Sequence, residues 1–483
     1  MNKKVTFTKI ISIIISLFLF LGVLTLGFMN LFGTDELYTA DAGVIVGATV
    51  SMILRTYITW QSFIKGAAVL IIVSLLICIL MKTAAKEHTA KFGILVSLAA
   101  FSVRAAAVFL WKTEPVSDFG LTYDLSNLLA TVPVGEWGVA LDEYGTIYND
   151  IWSAHMPFII YQSQLMRLFG TSVQMLGVIN AIWGTLECLI VWAISRYLFG
   201  RVEGRNAMLF MAFNPVCIFF TPILSNQHSA VCFFLLGVYT VCAKPWGKMW
   251  LSAFFAGLMF AMGQLLRPEM TAAVLAVAVY FAFEGVQNKK KMYSLLCCMI
   301  MMFSFFAVSA TADKLLRDNE IIHQSMLEQN MKYKVTVGLD KATHGGWSEE
   351  NAKLIYDEEK LDEVFWERMR GVSVPMLLRK TIYQFGSYVY SWSMKADTHP
   401  VVSSLLVRRA SAAMMGMIIV FACMSMVFDN EKRKRFLPLV IFIGTYMGIY
   451  AIIEVQVRYN YIIVPLLIVL GSNITLTENR KKG

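Results

Sequence analysis

The sequence predicts an all-α polytopic membrane bundle, and three observations carry that prediction. Of 483 residues, 57% are hydrophobic and 16% charged, with mean hydropathy +0.60, whereas a soluble domain is roughly one-quarter charged. Apolar runs long enough to cross about 30 Å of hydrocarbon recur along the chain. Basic residues gather in short clusters between those runs, the way a membrane chain marks its cytoplasmic side. The net charge of +9 is therefore topological and does not point to nucleic acid.

The runs begin near residues 10, 65, 93, 172, 206, 228, 248, 270, 292, 408, 436 and 459, which gives roughly twelve helices. The first follows MNKKVTFTKI and resembles a signal sequence, but it is long enough to span and no small-residue cleavage site follows cleanly. It reads as an uncleaved helix. Basic clusters at residues 3–4, 82–91, 196–205, 244–248, 289–291, 432–435 and 480–482 all face the cytoplasm in one orientation, with both termini inside. The same alternation puts residues 112–170 and 313–405 on the extracytoplasmic side. The chain divides into N-terminal spans (1–92), a core carrying the first outer loop (93–312), a second outer region (313–405) and C-terminal spans (406–483). The eight cysteines lie in or beside apolar runs without ligand spacing, so they read as packing residues.

Neither outer region is plain loop. SDFGLTYDLSNLLA and MPFIIYQSQLMRLFG place apolar residues at helical spacing but are too short to span, so they predict helices lying along the membrane surface. In the second region, WSEENAKLIYDEEKLDEVFWERMRG predicts a small α-rich unit, with Ser348 as N-cap.

Ionisable groups beside spanning helices are costly and therefore candidates for function. Asp118 opens the first surface helix. Its simplest role is an N-cap, which Ser117 could also fill; its functional role is a general base or metal ligand, taking a proton from an attacking hydroxyl. Asp142, Glu143, Asp150 and His155 follow in the same loop. With Asp118, the acids Asp142 and Glu143 are candidate oxygen ligands for a divalent cation such as Mg²⁺ or Mn²⁺, although their spacing matches no tight motif. Arg267 in QLLRPEM and Arg458 in EVQVRYNY stand at the outer ends of two spans. Terminal arginines often only snorkel to water, but both fall on the face of Asp118, and guanidinium suits phosphate.

With these residues in view, the chain resembles the GT-C superfamily of integral-membrane glycosyltransferases, especially the group related to protein O-mannosyltransferases and the lipid A aminoarabinose transferase. The matching pieces are PVSDFGLTYD, HMPFIIYQSQLMRLFG (like the family's (H/K)-P-P-x-x-Y-x-L-x-x-x-x-F-G helix), FNPVCIFF, LLRPE and VQVRYNYIIVPLLIVL, in the expected order over most of residues 93–475. The resemblance implies a GT-C-like bundle, a polyprenyl-phosphate-linked sugar as donor, and inverting transfer to a hydroxyl on the outer membrane face. It implies Asp118 as the first-loop acid, and His155, Arg267 and Arg458 as basic residues near the donor phosphate. Met156 replaces a frequent proline, and Phe119 stands where the protein mannosyltransferases carry a second acid. The acceptor, whether glycan, lipid or protein, stays open. The competing expectations are a flippase or transporter, and a polymerase of lipid-linked saccharides. Many transporters carry internal repeats and midplane sites, whereas here the polar candidates gather toward one face.

Overall fold

A computed structural model describes residues 3–34, 58–86, 91–111, 113–328, 330–386, 405–429 and 432–474. The predicted basic cluster at 480–482, and residues 387–404 of the second outer region, lie outside the described residues. Those described form helices and turns without a strand. Helix α1 (Lys3–Gly22) continues through a π turn (Val23–Gly27) into Phe28–Phe32 and is followed by α2 (Trp60–Lys86) and α3 (Phe92–Leu110). Three shorter helices come next, α4 (Asp118–Thr131), α5 (Trp137–Tyr144) and α6 (Met156–Phe169). The core continues with α7 (Val173–Leu198), α8 (Arg201–Ala212), α9 (Pro215–Phe220), α10 (Gln227–Ala243), α11 (Met249–Leu266), α12 (Met270–Gln287) and α13 (Lys291–Asp318). Next are α14 (Met331–Gly338), α15 (Glu349–Lys353), α16 (Glu358–Arg370) and α17 (Val374–Gly386), then α18 (Leu405–Phe428), α19 (Arg433–Ile452) and α20 (Val464–Gly471).

Among the described residues, nine helical segments (α1, α2, α3, α7, α11, α12, α13, α18 and α19) are long and apolar enough to cross a membrane. This is a polytopic membrane protein. The predicted runs near 228 and 459 are apolar but shorter, at Gln227–Ala243 and Arg458–Gly471. The run near 206 is interrupted because Asn214 and Pro215 cannot continue α8: Asn214 instead caps α9, its side chain accepting from the Val216 N–H at 3.0 Å, with Pro215 at the first helical position.

That interruption strands carbonyls in the apolar interior, where each needs a partner. Arg104, fully buried on α3, supplies it. Its Nη2 donates to Met211 O at 2.8 Å and its Nη1 to Ala212 O at 3.0 Å. A Cβ at position 184 of α7 would lie 2.8 Å from Arg104 Nε, so Gly184 makes room for the arginine to pass. Nearby, the equally buried Glu187 accepts from Tyr461 Oη at 2.8 Å. Arg104 and Glu187 were not expected as functional residues, and Arg104 acts as a cap for a broken helix.

The two short segments predicted as helices in the first outer region are helical, as α4 and α6. Helix α4 packs on α6, and Leu125, Leu129 and Ile159 join Trp137, Ile322 and Met326 in a small core. Burying each such side chain contributes about 1.5–3 kcal/mol. Helices α14 to α16 make a second unit around Tyr333, Val337, Leu354 and Leu361. Ser348 does cap α15, accepting from Asn351 N at 3.1 Å. Six of the cysteines are buried, as packing residues should be, whereas Cys78 is exposed and Cys298 partly so.

The unit of α14 to α16 is tied to the segment leaving α19. Glu454 N donates to Lys334 O at 2.9 Å and Val455 N to Gly345 O at 2.8 Å. Lys380 of α17, buried, donates to Gly338 O and to Ile453 O. The backbone just before Arg458 is thereby held from both sides.

Candidate active site

Asp118, Arg267 and Arg458 follow the C-terminal ends of α3, α11 and α19. All three, together with His155, line one cavity of about 580 Å³, a size typical of small-molecule sites. Four residues that are remote in sequence are brought together.

The approach to Asp118 is conformationally unusual. Ser117 has φ +54° and ψ −135° and occupies the cap position of α4 without a side-chain cap bond. Such a backbone costs on the order of 1–3 kcal/mol in a non-glycine residue and is most often found at functional sites. The cap expectation is thus corrected for both residues. Asp118 is the first helical residue, and its Oδ2 accepts from Arg458 Nη2 at 2.9 Å, with the Asp118 side chain 55% exposed and that of Arg458 7%. The carboxylate is held through Oδ2 by a buried cation and is otherwise partly open to the cavity.

Arg458 is fixed on three further sides. Its Nε donates to Gln456 Oε1 at 2.7 Å, and its guanidinium lies 4.7 Å from the centre of the Phe119 ring and 5.9 Å from that of Tyr459. Phe119, which departs from the family pattern, is therefore a cation–π platform for the arginine. Arg267 also lies by Tyr459, its guanidinium 5.1 Å from the centre of that ring. It pairs with Glu269 and donates from Nη1 to Asn226 Oδ1 at 2.8 Å. Glu269 in turn accepts from Tyr450 Oη at 2.9 Å. Arg267 Nε is buried without a hydrogen-bond partner, a donor that an anion could satisfy.

Sequence reasoning missed Lys334 and the roles of Glu269 and Glu454, all of which line the cavity. Lys334 lies on α14, its amine 5.5 Å from the centre of the Trp152 ring. Burial holds that amine below the usual lysine range, against the opposing pull of Glu269 and Glu454. Burial raises the Glu454 carboxyl above its ordinary value. His155 packs edge-on against Tyr148 and Trp152, with ring centres 5.7 and 6.4 Å away. Burial, then Lys334, Arg267 and Arg458, hold its imidazole well below the ordinary histidine value, so it is neutral at pH 7. Burial and then the Asp118 charge push the Tyr148 phenol up to about 12. No motif marks Lys334 in MKYKVTVG; only its position across the cavity does.

The grouping of Asp118 with Asp142 and Glu143 as cation ligands is corrected. Asp142 lines a different cavity, where its Oδ1 accepts from Asn149 Nδ2 at 2.7 Å and meets His323 Nε2 at 2.9 Å; Glu143 lines neither of the two. His323's pKa is raised first by its hydrogen bond to Asp142. The three carboxylates that do line the main cavity are each engaged, Asp118 by Arg458, Glu269 by Arg267 and Glu454 by Gln456 at 2.8 Å. Among the described residues, no group of three or more His, Cys, Asp or Glu side chains could hold a metal ion. This donor set does not fit a preformed Mg²⁺ or Mn²⁺ site, which needs several convergent oxygens.

What the cavity can do chemically follows from this arrangement. It has one partly exposed carboxylate held in place, and three cationic side chains with a neutral imidazole around it. That is suited to taking a proton at Asp118 while stabilising an anion beside the arginines.

No curated protein matches the chain in a sequence comparison. Residues 155–310 match the family model described as dolichyl-phosphate-mannose-protein mannosyltransferase. The matched span holds His155 and Arg267, while Asp118 and Arg458 lie on either side of it. The match covers about a third of the chain, and over that span the chain is similar to this family of membrane mannosyltransferases.

Proposed function

We propose that the protein transfers a sugar from a polyprenyl-phosphate donor to an acceptor hydroxyl, with inversion, at the extracytoplasmic end of the bundle. The observation that carries this reading is the Asp118–Arg458 pair, 2.9 Å apart on the wall of a cavity shared with Arg267, His155 and Lys334. The acceptor oxygen attacks the anomeric carbon and its proton passes to Asp118 Oδ1. The bond from that carbon to the phosphate oxygen breaks, and its electron pair stays on the phosphate. One displacement of this kind inverts the configuration.

The leaving phosphate accumulates charge, so electrostatic stabilisation can stand in for a strong general acid. Arg267 and Arg458 are each matched by a carboxylate, and burial disfavours the charged amine of Lys334. A phosphate entering beside Lys334 favours its charged form and adds an anion to a cavity lined by three basic side chains. Neutral His155 contributes an N–H donor without adding charge.

The basic clusters support a topology with both termini in the cytoplasm and this cavity on the opposite side. The test is to incubate the protein in nanodiscs, alongside Asp118→Asn, with a panel of polyprenyl-phosphate sugars and measure released polyprenyl phosphate. Release by wild type, slowed at least about a hundredfold in the variant, and a product of inverted anomeric configuration by NMR are expected. If no donor is consumed while vesicles carrying the protein move lipid-linked sugar across the bilayer, the transferase reading fails.

A further inference from the structure

The mouth of the cavity is formed by side chains that the chemistry above does not use. Trp347 is 60% exposed and Tyr356 is 69% exposed, yet both line the same cavity as Asp118. Large exposed aromatic rings are common singly, but two facing a reactive cavity call for an occupant.

Their backbones are fixed although their rings are open. Trp347 follows a tight turn in which His344 and Gly345 have φ +54° and +85°. Asp340 braces that turn, accepting from Ala342 N at 2.9 Å and Asn351 Nδ2 at 2.8 Å. The next residue, Ser348, caps α15. Tyr356 ends a short 3₁₀ turn (Leu354–Tyr356), and the next residue, Asp357, caps α16, accepting from Lys360 N at 3.0 Å. Each ring thus stands beside a capped helix start, presented to the cavity with little backbone freedom left to lose on binding. Trp152, carrying Lys334 on its ring, lines the same cavity further along.

We infer that Trp347 and Tyr356 form a platform for a sugar ring of the acceptor, so that the acceptor is a glycan. This rests on the transfer reading above and specifies its second substrate. The axial C–H bonds of a pyranose present a weakly positive, apolar face that matches the negative face of an aromatic ring. The sugar's hydroxyls stay toward water and toward Asp118.

The experiment has a binding arm and a kinetic arm. The full-length protein in nanodiscs is screened on an array of neutral oligosaccharides, and affinities for the hits are measured by calorimetry, with a Ser/Thr-containing peptide as comparator. Saccharide binding by wild type is expected, weakened about tenfold by Trp347→Ala or Tyr356→Ala and largely retained in Trp347→Phe. Trp366→Ala, an exposed tryptophan on α16 away from the cavity lining, controls for surface effects and should bind as wild type does. With donor present, the alanine variants should raise the KM for the saccharide acceptor more than they lower kcat. No saccharide bound, equal binding by all variants, transfer to the peptide alone, or a rise confined to the donor's KM would each overturn the proposal. The binding arm needs no turnover, so saccharide binding without any donor consumption would sink the transfer reading and leave the glycan platform standing.

Discussion

Among the described residues, two of the arginine–carboxylate neighbourhoods are built in opposite ways. Arg104 sits in the middle of the bundle, fully buried, with its terminal nitrogens on the carbonyls of Met211 and Ala212. Its neighbour Glu187 is turned to Tyr461. Arg458 stands at the end of the bundle, buried on one side by Phe119 and Tyr459 but bonded to a carboxylate that is half exposed to a large cavity. The difference lies in what each arginine is paired with. An intramembrane arginine that satisfies orphan carbonyls is part of the scaffold, whereas one that orients an accessible carboxylate is part of a site.

The largest expected separation comes from Asp118→Asn. Removing the proposed base should lower turnover by about 10²–10⁴-fold with only a small fall in Tm, because the replacing amide keeps an oxygen that can accept from the buried Arg458. Loss of folding together with loss of activity would erase the distinction drawn here. Arg104→Met should do the reverse. It strands two buried carbonyls at about 1–3 kcal/mol each, and should appear as lower folded yield and a lower Tm in size-exclusion and thermal-shift measurements. A stable but inactive Arg104→Met would make that arginine part of the site.

A smaller effect is expected from Arg458→Lys. The charge is kept, but the fork that reaches Gln456 and Asp118 together is lost. Activity should fall about tenfold, about 1.4 kcal/mol, with the loss in kcat rather than in the donor's KM; unchanged turnover would mean that charge alone is used. The smallest effect concerns His155. Its folded pKa is depressed, mainly by burial, while the unfolded imidazole titrates near 6.5. Between those two values the unfolded chain binds more protons. His155's contribution to stability is therefore intact above about pH 6.5 and falls as pH drops below it, by at most about 1.4 kcal/mol per pH unit. His155→Asn should flatten that acid limb in a Tm-versus-pH series; an identical limb would assign it to other groups.

How much was legible in the sequence varies with the range of the interaction. The surface helices α4 and α6 were readable because 3.6-residue spacing is a local pattern, and Ser348 because capping acts over three residues. Asp118, His155, Arg267 and Arg458 could be nominated because ionisable groups at span ends are costly, and one topology put them on one face. Asp142 was misassigned because closeness in sequence to Asp118 suggested closeness in space, whereas the fold turns it toward His323. Lys334 was missed because nothing in MKYKVTVG distinguishes a cavity lysine from a solvated one. Arg104 was passed over inside an apolar run, since its reason for being there is the broken end of another helix.

Composition and the period of the apolar runs alone determined that this chain is a helical membrane protein, because a backbone in hydrocarbon must satisfy itself within each segment. Charge at the span ends was enough to nominate a polar site there. Only the tertiary structure decided which charges meet. It set Arg458 on Phe119 and against Asp118, brought Lys334 from a separate unit to the same cavity, and sent Arg104 to two stranded carbonyls. Those pairings join residues up to 340 positions apart, and chain reversal and packing fix them where no local pattern can.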